Sequence, residues 1–259
     1  MTAIICYSVK EDDLINQRRF QFLSAFYSDN GISFNRSAEC SSDSDLSCKS
    51  PQISFCFKQH KPKDPLHIFY TRSAASLDAY LAHYREYLVE VAVEKEESEP
   101  KGLQVLIDSA LLFDLFLIKP LRWNSKLEYS SSSLSPGLYC QYTMARIRGI
   151  VSKANESELQ AISPNTEQPL QEKKQFEACE LQIQEMNKLK EHCLTNPQAF
   201  PKLFNQVVHL CHCCTRLMGT FRVKGSPCAL ARLAFYQRVH LEVQALFTSF
   251  GLGSFEARM

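Results

Sequence analysis

The residues best placed to do chemistry lie in one short stretch, Leu138 to Ala154, reading LYCQYTMARIRGIVSKA. At helical periodicity Tyr139, Tyr142, Arg146 and Lys153 fall on one side, and Gly149 leaves a gap where another backbone could approach. Two aromatic rings and two cations on one face are the equipment for holding unpaired nucleic acid. The rings stack on bases, and the guanidinium and ammonium groups neutralise phosphates. The competing reading is ordinary helix surface, where long side chains cover apolar neighbours with their stems. Cys140, Met144, Ile147, Ile150 and Val151 form an apolar stripe on the other side, which should pack into a core.

A second cluster invites a metal reading. HLCHCC, His209 to Cys214, has Cys179, His192, Cys193 and Cys228 within reach in sequence, and nitrogen and sulfur ligands of this kind favour zinc. Zinc sites usually draw pairs of ligands from loops, whereas these residues spread around a continuous predicted helix. They read better as small buried hydrophobes, and no metal is expected. No P-loop, no GxGxxG opening a helix and no GxSxG elbow occurs. GLGSF follows a helix and reads as a terminating turn. The acidic run Glu94 to Glu99 is a solvated helix terminus. Independent catalysis, a small-molecule substrate and a bound cofactor are therefore not expected.

The elements that must position the motif follow from periodicity and punctuation. Helical patterns cover Glu11 to Phe26, with Leu14, Phe22 and Phe26 as core candidates, and Ser73 to Val93. Further helices are predicted over Gly102 to Ile118, Leu138 to Ala154 behind a Ser135-Pro136 cap, Glu172 to Leu194, Pro197 to Leu217 and Ser226 to Phe250. ISFCFKQ and LHIFY around KPKDP read as a hairpin or paired strands. LRWNSKLEYSSSSLSPG and NESELQAISPNTEQPLQ read as connections.

Composition sets the frame. The 259 residues are 45% hydrophobic, enough for one substantial core or two small ones. Lysine and arginine number 29 against 28 acidic residues, a net charge of +1, so any nucleic-acid surface must be local. The chain has no apolar run long enough for a membrane span, and MTAIICYSVKEDD turns acidic too early for a secretory signal. Eleven cysteines without a regular framework fit reduced thiols. A soluble, cytoplasmic protein without membrane contact is expected.

YCQYTMARIR resembles the YxQYxxxRIR segment of the DALR anticodon-binding domain, the C-terminal helical bundle of arginyl-tRNA synthetases. ALARLAFYQRVHLEVQALFTSFGLGSFEARM, Ala229 to Met259, is similar to that domain's last helix and its short tail. The resemblance covers Gly102 to Met259. It implies a mainly α protein: a DALR-type bundle at 101–259, preceded at 1–100 by a smaller α+β or irregular remnant of a synthetase-like region. It further implies that Tyr139, Tyr142 and Met259 touch the anticodon loop, with Gln141 in the same motif and Arg146, Arg148 and Lys153 on phosphates. Arg232 and Arg258 complete the implied nucleic-acid-binding set. The chain departs from the pattern at Leu217, Met218 and Gly219, where synthetases carry a phenylalanine-tyrosine-asparagine stretch, and it lacks the acidic residue that opens the DALR motif. Neither an HxGH-type nor a KMSKS-type ATP signature is present.

By this resemblance the chain is similar to a non-catalytic branch of the family that presents arginine tRNAs to a methyltransferase making 3-methylcytidine in the anticodon loop. The implied partners are an arginine tRNA and that methyltransferase subunit. The alternatives are the C-terminal part of an arginyl-tRNA synthetase, and a protein-interaction bundle that has lost RNA binding.

Overall fold

The computed structural model describes residues 2–6, 14–37, 54–56, 77–94, 102–117, 135–153, 169–223 and 228–253. The order is β1 (Thr2–Cys6), α1 (Leu14–Asp29), β2 (Ser33–Ser37), β3 (Ser54–Cys56), α2 (Leu77–Glu94), α3 (Leu103–Phe116) and α4 (Pro136–Ser152). Then come α5 (Leu170–Cys193), a 3-10 turn at Pro197–Ala199, α6 (Phe200–Thr220) and α7 (Ala229–Ser249). The fold is mainly α, as the sequence predicts. LHIFY falls outside the described residues, as do the two candidate connections up to residues 134 and 168; the last residues of each connection open α4 and α5.

ISFCFKQ supplies a strand, as expected, while its expected partner LHIFY lies outside the described residues. Ser54–Cys56 pairs in parallel with Thr2–Cys6, which also pairs in parallel with Ser33–Ser37, in the order β2-β1-β3. Parallel neighbours require long connections, so none of these three strands forms a hairpin with another. TAIIC is a continuous apolar run, a pattern that carries no alternation to announce a strand.

Helix α1 runs three residues past the predicted end at Phe26 and stops at Asp29. Gly31 adopts φ +71°, a conformation that costs glycine little, and the Asn30 side-chain amide donates to Phe26 O at 2.7 Å. Helix α3 is buried on nearly every side, from Leu103 through Phe116, and forms the axis of the core. Around it lies a cluster of rings. Phe113 and Phe116 from α3 meet Phe204 of α6, with centroids at 4.9 and 5.6 Å. Phe250, just beyond α7, stacks on Phe26 of α1 at 4.6 Å and touches Phe116, Phe200 and Phe204. Ile15, Phe22, Tyr80 and Tyr84 join the same core, so α1 and α2 pack on the later helices without an intervening solvent layer.

One buried carboxylate sits where α2 meets α3. Asp114 accepts hydrogen bonds from the hydroxyls of Tyr80 and, at 3.3 Å, Tyr84. Burial pushes its carboxyl up from 3.8 to about 6, against the opposing pull of both tyrosines. Between those values the native state holds a proton that the unfolded chain releases. This group's contribution is therefore greatest below pH 3.8 and is lost as pH rises through about 6, a change of about 3 kcal/mol. Asp114→Asn should flatten the dependence of the urea midpoint on pH between these values. An unchanged slope would mean that Asp114 is not responsible for it.

Helices α3 and α4 lie against each other because Gly137 has no side chain. A Cβ there would overlap the backbone carbonyl of Ser109. Gly137→Ala must push the helices apart, and a loss of about 1–3 kcal/mol is expected by chemical denaturation. Wild-type stability in that variant would refute the close approach.

Helices α5 and α7 are tied by polar contacts in step along both chains. Glu172 receives Arg232 Nε and Nη2 at 2.6 Å each, Glu180 pairs with Arg238 at 2.6 Å, and the Asn187 amide donates to Glu242 at 3.2 Å. The partner numbers rise together, so the two helices run parallel, which places the intervening α6 antiparallel to both.

Candidate nucleic-acid interface

Helix α4 begins as its sequence predicts. Ser135 accepts a hydrogen bond from Gly137 N at 3.3 Å, and Pro136 occupies the first turn, where its missing N–H costs nothing. Cys140, Met144 and Ile147 are buried, with Ile150 and Val151 half-buried behind them. That fixes which side of α4 faces outward.

On the outward side Tyr142 is 40% exposed, and the Arg146 guanidinium stands 5.7 Å from its ring centroid. This cation–π contact pre-orders both groups at the surface. Lys153 is exposed at the helix C-terminus, and nothing lies within 4 Å of where a Cβ on Gly149 would be. Tyr142, Arg146, Gly149 and Lys153 thus form one open stripe.

Tyr139 is different. It is half-buried, its hydroxyl lies 2.9 Å from Thr215 Oγ1, and its ring is stacked on His212 with centroids 4.6 Å apart and planes at 30°. It therefore presents a layered pair with α6 and not a free ring. His212 and Thr215 were missed by sequence reading. HLCHCC signalled metal, and nothing local marks a ring sitting over a tyrosine on another helix.

Three other candidates fall elsewhere. Gln141 is 1% exposed and donates to Ser109 Oγ at 2.7 Å, so it fastens α4 to α3. Arg232 is 7% exposed, with its donors spent on Glu172 and on the Arg222 carbonyl. Both expectations are corrected: these side chains turn inward, and their polar atoms are satisfied within the protein. Arg148 is exposed but lies two residues beyond Arg146, which turns it to the far flank of α4. There it neighbours His240 of α7, whose imidazole is pushed down first by burial and then by the Arg148 charge. Arg258 and Met259 lie outside the described residues.

The cysteine cluster is core. Cys140, Cys179, Cys193, Cys211 and Cys214 are buried, and burial pushes the Cys179 thiol up to about 12. Protonated thiols are poor ligands and poor nucleophiles. Among the described residues no three histidine, cysteine or acidic side chains converge as metal ligands. Likewise, no helix among them is long and apolar enough to cross a membrane. At the departure from the synthetase pattern Leu217 is buried, Met218 half-buried and Gly219 open to solvent, so no ring projects there.

The fold has a counterpart among solved structures. The arginyl-tRNA synthetase of Thermus thermophilus superposes with a TM-score of 0.53 at 17% identity, over 73% of this chain. The fold is shared with an arginyl-tRNA synthetase. The match spans only 35% of that synthetase, about a third of its length. No family model matches the chain, and no curated protein does.

Proposed function

We propose that the chain is a non-catalytic tRNA-binding protein that grips an arginine tRNA through its anticodon stem-loop, using the outward stripe of α4. The observation that carries this reading is the exposed Tyr142 ring with Arg146 held over it, on a helix whose opposite side is core. A ring stacks on an unpaired base, and the adjoining guanidinium and Lys153 ammonium meet the backbone. In this reading residues 101–259 are the anticodon-binding bundle and 1–100 a remnant of a synthetase-like region packed on it. The tRNA would be presented to a 3-methylcytidine methyltransferase subunit, which brings its own methyl donor, in the cytoplasm. Met259 and Arg258 belong to the same proposed contact through the tail motif alone.

The test is equilibrium binding of purified protein to arginine tRNAs and unrelated tRNAs at fixed salt. Tyr142→Ala should cost about 1–3 kcal/mol of tRNA affinity, the value of one stacked base, with folding unchanged because the ring is at the surface. Failure to bind tRNA would end the reading. An alternative is the C-terminal part of a working synthetase, distinguished by whether longer transcripts encode the two ATP signatures upstream. A protein-interaction bundle is the third reading, favoured by Leu241, which is 60% exposed on α7.

A further inference from the structure

Helix α6 carries a feature that the α4 stripe does not use. Its 21 residues, FPKLFNQVVHLCHCCTRLMGT, contain no aspartate or glutamate. Lys202, Asn205, His209, His212 and Arg216 recur at alternating steps of three and four, and all five are exposed or half-buried. The opposite face, with Leu203, Phe204, Val207, Leu210, Cys211 and Cys214, is core. An amphipathic helix in a nearly neutral protein normally mixes both signs on its wet face. Here both charged groups on that face are cations, Lys202 in the first turn and Arg216 near the other end, with two imidazoles between them. Among the described residues no carboxylate pairs with Lys202, His212 or Arg216, and His209 Nδ1 meets the neutral Gln182 side chain at 2.9 Å.

This face joins the α4 stripe through the Tyr139–His212 stack. His212 covers one side of the half-buried tyrosine, and Thr215 holds the phenol hydroxyl. The ring exposed to solvent at this junction is the imidazole, backed by a phenol that cannot swing away. A supported, flat, solvent-facing ring is what a base needs for stacking, and Lys202 and Arg216 flank it along the helix as cations that can meet phosphates.

We propose that the single-stranded RNA surface continues from α4 onto α6, with His212 as a second stacking platform and Lys202, His209 and Arg216 along the phosphate path. This rests on the RNA-binding reading above. RNA leaving Tyr142 would cross the Tyr139–His212 junction and run along α6, so the interface spans two helices and holds more than one unstacked base.

The experiment measures binding of the full chain to a labelled anticodon stem-loop of an arginine tRNA, and to a fully paired duplex of the same length, across a salt series. The variants are His212→Ala, His212→Phe, Arg216→Glu and Tyr142→Ala, each checked for native circular dichroism. His212→Ala should weaken the stem-loop about tenfold and His212→Phe should restore most of it, because stacking needs the ring and not the imidazole nitrogens. Arg216→Glu should weaken binding and lower the slope of log affinity against log salt by about one. If Tyr142→Ala weakens the stem-loop while the His212 and Arg216 variants bind as wild type, the α6 extension is overturned and the α4 reading stands. If the wild-type chain binds neither RNA, both fall. Equal binding of stem-loop and duplex would overturn base stacking at His212.

Discussion

Arg232→Ala is expected to lower the free energy of unfolding by about 3–5 kcal/mol, read as a shift in the urea midpoint at unchanged slope. The magnitude follows from what is left behind. Glu172 is 3% exposed, and its two oxygens each receive an arginine nitrogen at 2.6 Å. Without the guanidinium a carboxylate remains in a site with little water to solvate it, and the Arg222 carbonyl also loses its donor. Glu172→Ala should be comparably harmful, because it strands the guanidinium instead. The double replacement by apolar residues of similar volume should recover much of the loss, since forming a buried pair also costs desolvation of both ions. Equal, additive effects of the two single variants would show that the side chains act separately.

Phe250→Ala is the other large effect, at about 3–5 kcal/mol. Phe250 sits one residue beyond α7, where its N–H still reaches the Phe247 carbonyl and Gly251 turns the chain at φ +78°. Its ring meets rings from α1, α3 and α6, so truncation leaves a cavity bounded by Phe26, Phe116, Phe200 and Phe204. Phe250→Leu should cost markedly less, because it keeps most of the volume and loses mainly the stacked, tilted and edge-on ring contacts. Thermal unfolding of both variants measures the difference. Similar losses for alanine and leucine would mean that the aromatic contacts, and not the filling of the cavity, supply most of the stabilisation.

The outward and inward sides of α4 were legible in the sequence because helical period alone sorts Cys140, Met144 and Ile147 from Tyr142, Arg146 and Lys153. The same period places Arg148 far from Arg146, yet the motif resemblance groups them, since a motif records which residues recur and not where each points. Gln141 and Arg232 were misplaced for a related reason. Glu172, which claims Arg232, is 60 residues away, and Ser109, which claims Gln141, is 32 away. Neither separation leaves a local trace. The strand in ISFCFKQ was legible, but β1 and β2 were missed because their pairing depends on connections outside each strand, whereas the helices carry their own signal in every turn. His212 was legible only as a metal candidate, because its significance lies in the ring of Tyr139 beneath it.

The rungs between α5 and α7 also bear on register. A purely apolar seam looks much the same after one helix slides past the other by a turn, about 5.4 Å, because leucines and phenylalanines interchange with modest loss. Glu172, Glu180 and Asn187 have no such tolerance, since each finds its counterpart at one setting only. A slip would break both ion pairs and the hydrogen bond at once, with Glu172 and Arg232 stranded inside the protein. The polar ladder therefore works as an alignment key, discriminating against shifted packings that hydrophobic contact alone would accept.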